Sequence, residues 1–141
     1  CMLTEEEMYQ KARNLWATLT DEKWRFDLYI EKPIKGYGHH AGGECYLYKR
    51  ETPDSNGEYV FSHSEQGSEY IFIKSKNFED IEFELAWRME GVIEWIYLKK
   101  IPHKFKDGIP GQLRRDILLK IFSRCGPDMY EKAKRRWDEP K

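Results

Sequence analysis

The stretch CYLYKRETPDSNGEYVFSHSEQGSEYIFIKS, residues 45–75, decides the fold. Three runs within it, Cys45–Arg50, Tyr59–Ser62 and Tyr70–Ile73, are rich in aromatic and β-branched residues, the composition of strands. In the first, Cys45 and Leu47 alternate with Tyr46, Tyr48 and Arg50, the period of a strand with one face inward. Pro53-Asp54-Ser55-Asn56-Gly57 divides the first run from the second, and Asn and Gly tolerate the positive φ of a tight turn. Glu65-Gln66-Gly67-Ser68 divides the second from the third. Connections this short join antiparallel neighbours, so a meander is expected.

Working upstream, Trp24, Phe26, Leu28 and Ile30 alternate with Arg25, Asp27, Tyr29 and Glu31, which reads as a further strand. Pro33, Gly36, Gly38, Gly42 and Gly43 then punctuate a loop. Ahead of it, Thr4 followed by Glu7 is a capping-box pattern, and Met8, Ala12, Leu15, Trp16 and Leu19 recur at helical spacing. Downstream, Ser75 or Asn77 can cap a helix whose apolar stripe is Phe78, Ile81, Leu85, Met89, Val92 and Ile96. Pro102 stops it. Leu113, Ile117, Leu118, Ile121 and Phe122 predict a third helix, ended by Gly126-Pro127, and Asp128 is expected to cap a last one through Trp137.

Helices segregated at the two ends of the chain suit the covering of one sheet face. The expected class is α+β: a four-stranded antiparallel sheet packed by an N-terminal helix and C-terminal helices, in a single domain spanning residues 1–141. Trp24, Phe26, Leu28, Ile30, Leu47, Ile71 and Ile73 are expected on the helix-covered side.

The 141 residues suit one core, and an apolar share of 40% is enough to build it. No apolar run approaches the ~20 residues that span a bilayer. The acidic opening Thr4-Glu5-Glu6-Glu7 differs from a signal peptide, so the cytoplasm is the expected location. Cys1 precedes Met2, which is expected to be the natural start. Cys45 and Cys125 then remain, and neither belongs to a CxxC pair or a disulfide framework. Charge is divided unevenly: residues 1–98 carry −8 and residues 99–141 carry +7. Either the two parts neutralise each other in the fold, or the asymmetry marks a charged partner.

The inventory of chemistry is short. His39 and His40 are adjacent in a glycine-rich loop near Glu44 and Cys45, but no second ligand pair at zinc spacing follows. No GxSxG, GxGxxG or P-loop occurs. No enzyme, cofactor or metal is therefore expected. Lys99, Lys100, Lys104, Lys106, Arg114, Arg115, Lys120, Arg124, Lys132, Lys134, Arg135 and Arg136 could meet phosphates, and a nucleic-acid-binding domain using the basic C-terminal helices is the alternative reading.

Two surfaces suit a protein partner. On the second helix, Phe83 and Trp87 fall opposite the apolar stripe, together with Glu79, Asp80, Glu90 and Glu94. An aromatic centre in an acidic rim is a common build of a binding hot spot. The competing reading is that the first or last helix covers both aromatics. On the sheet, Tyr29, Tyr46 and Tyr48, with Arg25 and Arg50, alternate away from the core positions and form the second candidate surface.

The segment from Glu58 to Lys141 resembles the immunity protein 63 family of bacterial polymorphic-toxin and contact-dependent inhibition systems. The likeness lies in YVFSHSEQGSEYIFIKS, in the helix opening NFEDIEFELAWRM, and in QLRRDILLKIF followed by GPDMYEKAKRRW. The resemblance implies a protein without an active site that binds a cognate toxin domain in the cytoplasm and neutralises it.

Overall fold

The capping box at Thr4 forms as its spacing predicts: the Thr4 hydroxyl accepts from the Glu7 amide at 3.1 Å and the Glu7 carboxylate accepts from the Thr4 amide at 2.9 Å. It opens helix α1, Glu5–Leu19, which buries Met8, Tyr9, Ala12, Trp16 and Leu19 on one face. The computed structural model describes residues 2–21, 26, 30–31, 45–54, 56–65, 68–99 and 110–140.

Strands β1 (Ile30–Glu31), β2 (Cys45–Arg50), β3 (Glu58–Glu65) and β4 (Ser68–Ser75) follow, in the spatial order β1-β2-β3-β4. The last three form the expected antiparallel meander. The first differs from expectation. Ile30 and Glu31 pair in parallel with Cys45 and Tyr46, and Phe26 lies in helical backbone, so alternation from Trp24 to Glu31 does not make a long antiparallel strand. Phe26 and Ile30 are nonetheless buried in the core. Trp24, Arg25, Asp27, Leu28, Tyr29, His39 and His40 lie outside the described residues.

The turn between β2 and β3 carries Gly57 at φ 78°, the positive region that glycine favours. The Asp54 carboxylate fixes this turn by accepting from the Asn56 amide at 3.1 Å and from Thr52 and Lys76, contacts that hold it well below the usual carboxylate range.

Helix α2, Phe78–Lys99, crosses the sheet and packs on β3, β4 and α1. Asn77 caps it, its side-chain oxygen accepting from the Glu79 amide at 3.2 Å. Helix α3 (Gly111–Phe122) is followed by a 3-10 turn, Ser123–Cys125, and by α4, Pro127–Asp138. The start of α4 differs from expectation: Gly126 is its N-cap and Pro127 occupies the first turn, leaving Asp128 inside the helix. No described helix is long and apolar enough to cross a membrane.

Leu47, Phe61 and Ile73 lie in line across the sheet on the side packed by the helices. Ile71 does not join them and is 41% exposed. An irregularity between Phe61 and Ser62 pairs Ile73 with Phe61 but Ile71 with Ser62. Phe72 becomes the extra residue of a bulge, and Ile71 turns to the far face. Phe72 packs against the core instead, its ring 5.1 Å from that of Phe61. The far face is itself largely closed: Tyr46, Val60, Ser62 and Ser64 are fully buried.

Candidate functional site

Helix α2 was expected to show a wet face opposite its apolar stripe. The stripe forms, with Phe78, Ile81, Leu85 and Met89 buried, but Glu84, Glu90 and Glu94 are buried as well. The helix is enclosed on several sides, by the sheet, α1 and the two C-terminal helices, and Glu84 and Glu94 have gone inside with arginine partners. Arg136 of α4 donates to both oxygens of Glu84, at 2.5 and 3.3 Å, and Arg88 donates to it at 3.1 Å. Arg114 of α3 donates to Glu94 at 2.8 Å. The Arg136–Glu84 and Arg114–Glu94 pairs join the acidic and basic parts of the chain, the neutralisation within the fold that was one reading of the charge asymmetry.

Phe83 and Trp87 are half-buried. Phe122 lies 6.1 Å from each ring, and the Arg136 guanidinium sits 4.8 Å from the Trp87 ring centre. The two C-terminal helices therefore cover much of this aromatic pair, α3 through Phe122 and α4 through Arg136, and the continuous hot spot expected on α2 is divided in two. Glu79, Asp80 and Phe83 border a cleft of about 460 Å³ whose other wall, from α4, carries Lys132, Arg135 and Arg136. Trp87, Glu90 and Glu94 border a separate, larger cleft.

This larger cleft holds about 650 Å³, within the range of ligand sites. Four elements converge on it. Cys45 comes from the start of β2; Trp87, Arg88, Glu90, Gly91, Val92, Glu94 and Trp95 come from α2; Arg114 and Leu118 come from α3; Trp137 comes from α4. Trp95 is 59% exposed, the most exposed large apolar side chain among the described residues. Trp95 and Trp137 were not among the expected site residues, and Arg114 was expected only as a phosphate contact. The Glu90–Glu94 spacing of four was a visible signal for a shared helical face, whereas the arrival of α3 and α4 depends on tertiary packing.

Glu90 is the unusual group in this cleft. Burial pushes its carboxyl up to about 8, and the Glu94 charge and a hydrogen bond with Glu94 push the same way against Arg114. It is 2% exposed, and its Oε1 atom has no hydrogen-bond partner. A buried carboxyl oxygen left unpaired costs free energy, and such groups concentrate at functional sites.

The tyrosine surface also differs from expectation. Tyr46 is fully buried and offers nothing to a partner. Tyr48 is half-buried, and its hydroxyl donates to Glu69 Oε2 at 2.5 Å, an oxygen that also accepts from Ser62 at 2.7 Å. Desolvation and that carboxylate raise the Tyr48 hydroxyl well above the usual tyrosine value. Tyr29 lies outside the described residues. Among those described, no group of three or more His, Cys, Asp or Glu side chains is placed to hold a metal ion.

No family model matches the chain, and no curated protein or solved structure matches it.

Proposed function

We propose that this chain is a non-enzymatic immunity protein that binds a cognate bacterial toxin domain in the cytoplasm and neutralises it. The observation that carries the reading is the tryptophan-walled cleft between α2, α3 and α4, with exposed Trp95 on its rim and buried carboxylates on its floor. An apolar, aromatic-rimmed recess with a few convergent polar groups suits an anchoring side chain of another protein. The resemblance of residues 58–141 to an immunity family supplies the identity of the partner class.

Nucleic acid is the alternative partner. Three of the arginines that could have met phosphates are engaged within the fold: Arg114 by Glu94, Arg136 by Glu84, and Arg115 by Asp138 at 3.2 Å. Their engagement favours the protein partner.

The test is co-expression with the toxin domain encoded in the neighbouring reading frame. The expected result is restored growth and co-purification of the two chains. Failure to protect, or salt-sensitive binding of DNA or RNA in place of the toxin domain, would overturn the proposal.

A further inference from the structure

We propose that the cleft between α2, α3 and α4 is a socket for one arginine side chain of the partner protein, whose guanidinium donates to Glu90 Oε1 and rests against Trp95. The inference rests on the immunity reading for the identity of the partner. The chemistry of the occupant follows from the cleft itself.

Two carboxylates face one bound cation. Glu94 is engaged by Arg114, and Glu90 lines the cleft with its Oε1 buried and unpartnered. Ionising both carboxylates beside one guanidinium leaves a net negative charge in a desolvated place, and a second cation completes neutrality. Among the described residues, the remaining charged and titratable groups at the cleft do not fill this role. Arg88 of α2 is held by Glu84 at 3.1 Å and lies 4.2 Å over the Phe72 ring, and β2 contributes only the Cys45 thiol. The α4 wall contributes Trp137, whose ring already has the Arg114 guanidinium 6.0 Å from its centre.

A planar guanidinium satisfies both demands of the place. It donates in a fork to carboxylate oxygens and stacks on an indole face, whereas an ammonium is a more strongly hydrated point charge. Tryptophan is the strongest of the aromatic partners for a cation.

Occupancy is coupled to a proton. In the empty cleft Glu90 holds its proton up to about pH 8, and an incoming guanidinium expels it. Affinity therefore rises with pH until Glu90 ionises unaided. For a group titrating near that value, binding at pH 8.5 is expected to be about 20-fold tighter than at pH 6.5.

The test is a titration of the full chain, followed by tryptophan fluorescence, with N-acetyl-arginine amide at pH 6.5 and 8.5. The neutral isostere N-acetyl-citrulline amide serves as control. Saturable binding of the arginine probe, tighter at high pH and lost in Glu90→Gln, is the expected result. Equal binding of citrulline, absence of saturation, or undiminished binding by Glu90→Gln would overturn the socket. A second arm asks whether Glu90→Gln still protects cells against the toxin domain. Loss of protection supports a partner arginine, whereas full protection overturns that assignment and leaves the immunity reading standing. If the unaltered chain itself protects no cell, the immunity reading falls, and with it the arginine's assignment to that partner, while the titration still decides the guanidinium site.

Discussion

Arg136, near the end of the last helix, places its guanidinium against both oxygens of Glu84 on α2 while lying 4.8 Å over the Trp87 ring centre. One side chain thus neutralises a buried acid and roofs an aromatic pair. The Glu84 side chain is 9% exposed and that of Arg136 33%, so the contact is only partly screened by water. Arg136→Ala is expected to destabilise the fold by about 2 kcal/mol, because it strands a buried carboxylate and uncovers the indole. Urea unfolding checks this. A loss below about 0.5 kcal/mol would mean that Arg88, the other partner of Glu84, suffices alone.

Glu90 makes stability depend on pH in the direction opposite to an ordinary salt-bridged carboxylate. Its value rises from 4.5 to about 8 in the fold. Below pH 4.5 the folded and unfolded chains both hold the proton, and Glu90 contributes no difference. Between 4.5 and 8 the unfolded chain has released the proton and the folded chain has not, so this group lowers stability as pH rises. Glu90→Gln removes that loss. It is expected to match the parent near pH 4 and to exceed it by on the order of 2 kcal/mol at pH 7.5. Melting curves across this range give the comparison, and a variant less stable at pH 7.5 would refute the assignment.

Trp87 and Trp95 border the same cleft but differ in what holds them. Trp87 is packed against Phe83 and Phe122, and Trp87→Ala is expected to cost about 3 kcal/mol of stability. Trp95 is 59% exposed, and Trp95→Ala should leave stability within about 0.5 kcal/mol while weakening partner binding about tenfold or more. Calorimetric binding and thermal unfolding on the same samples separate the two effects.

Gly57 occupies φ 78°, and a Cβ there would meet Met2 Sδ at 2.9 Å and the Arg50 carbonyl oxygen at 3.3 Å. Gly57→Ala is expected to destabilise by about 1–2 kcal/mol, from the left-handed backbone and the displaced methionine. Asn56→Ala, at the preceding and exposed position, should cost less, because it retains the amide that donates to Asp54. Equal losses for the two variants would show that the turn is not held by the glycine.

Local patterns were readable wherever their cause was local. The Thr4–Glu7 capping box, the Asn77 cap and the Gly57 turn each depend on residues a few positions apart, and each forms as expected. The parallel pairing of Ile30 and Glu31 with Cys45 and Tyr46 was not legible, because alternation of side chains carries no strand direction. Ile71 was misplaced because a bulge at Phe61/Ser62 is not written in alternation.

The sequence by itself determined the α+β class, the three-stranded antiparallel meander and the apolar stripe of α2, since hydrophobic period and turn chemistry act over neighbouring residues. It also held the charge asymmetry, with two outcomes open. Tertiary structure alone decided which side of α2 was wet. Two C-terminal helices brought Arg114 to Glu94 and Arg136 to Glu84, and so buried Glu90 and Glu94 of the expected acidic face while Glu79 and Asp80 stay exposed. The same packing left Glu90 Oε1 without a partner beside a tryptophan-walled cleft, because the two described guanidiniums there are engaged elsewhere, Arg114 by Glu94 and Arg88 by Glu84.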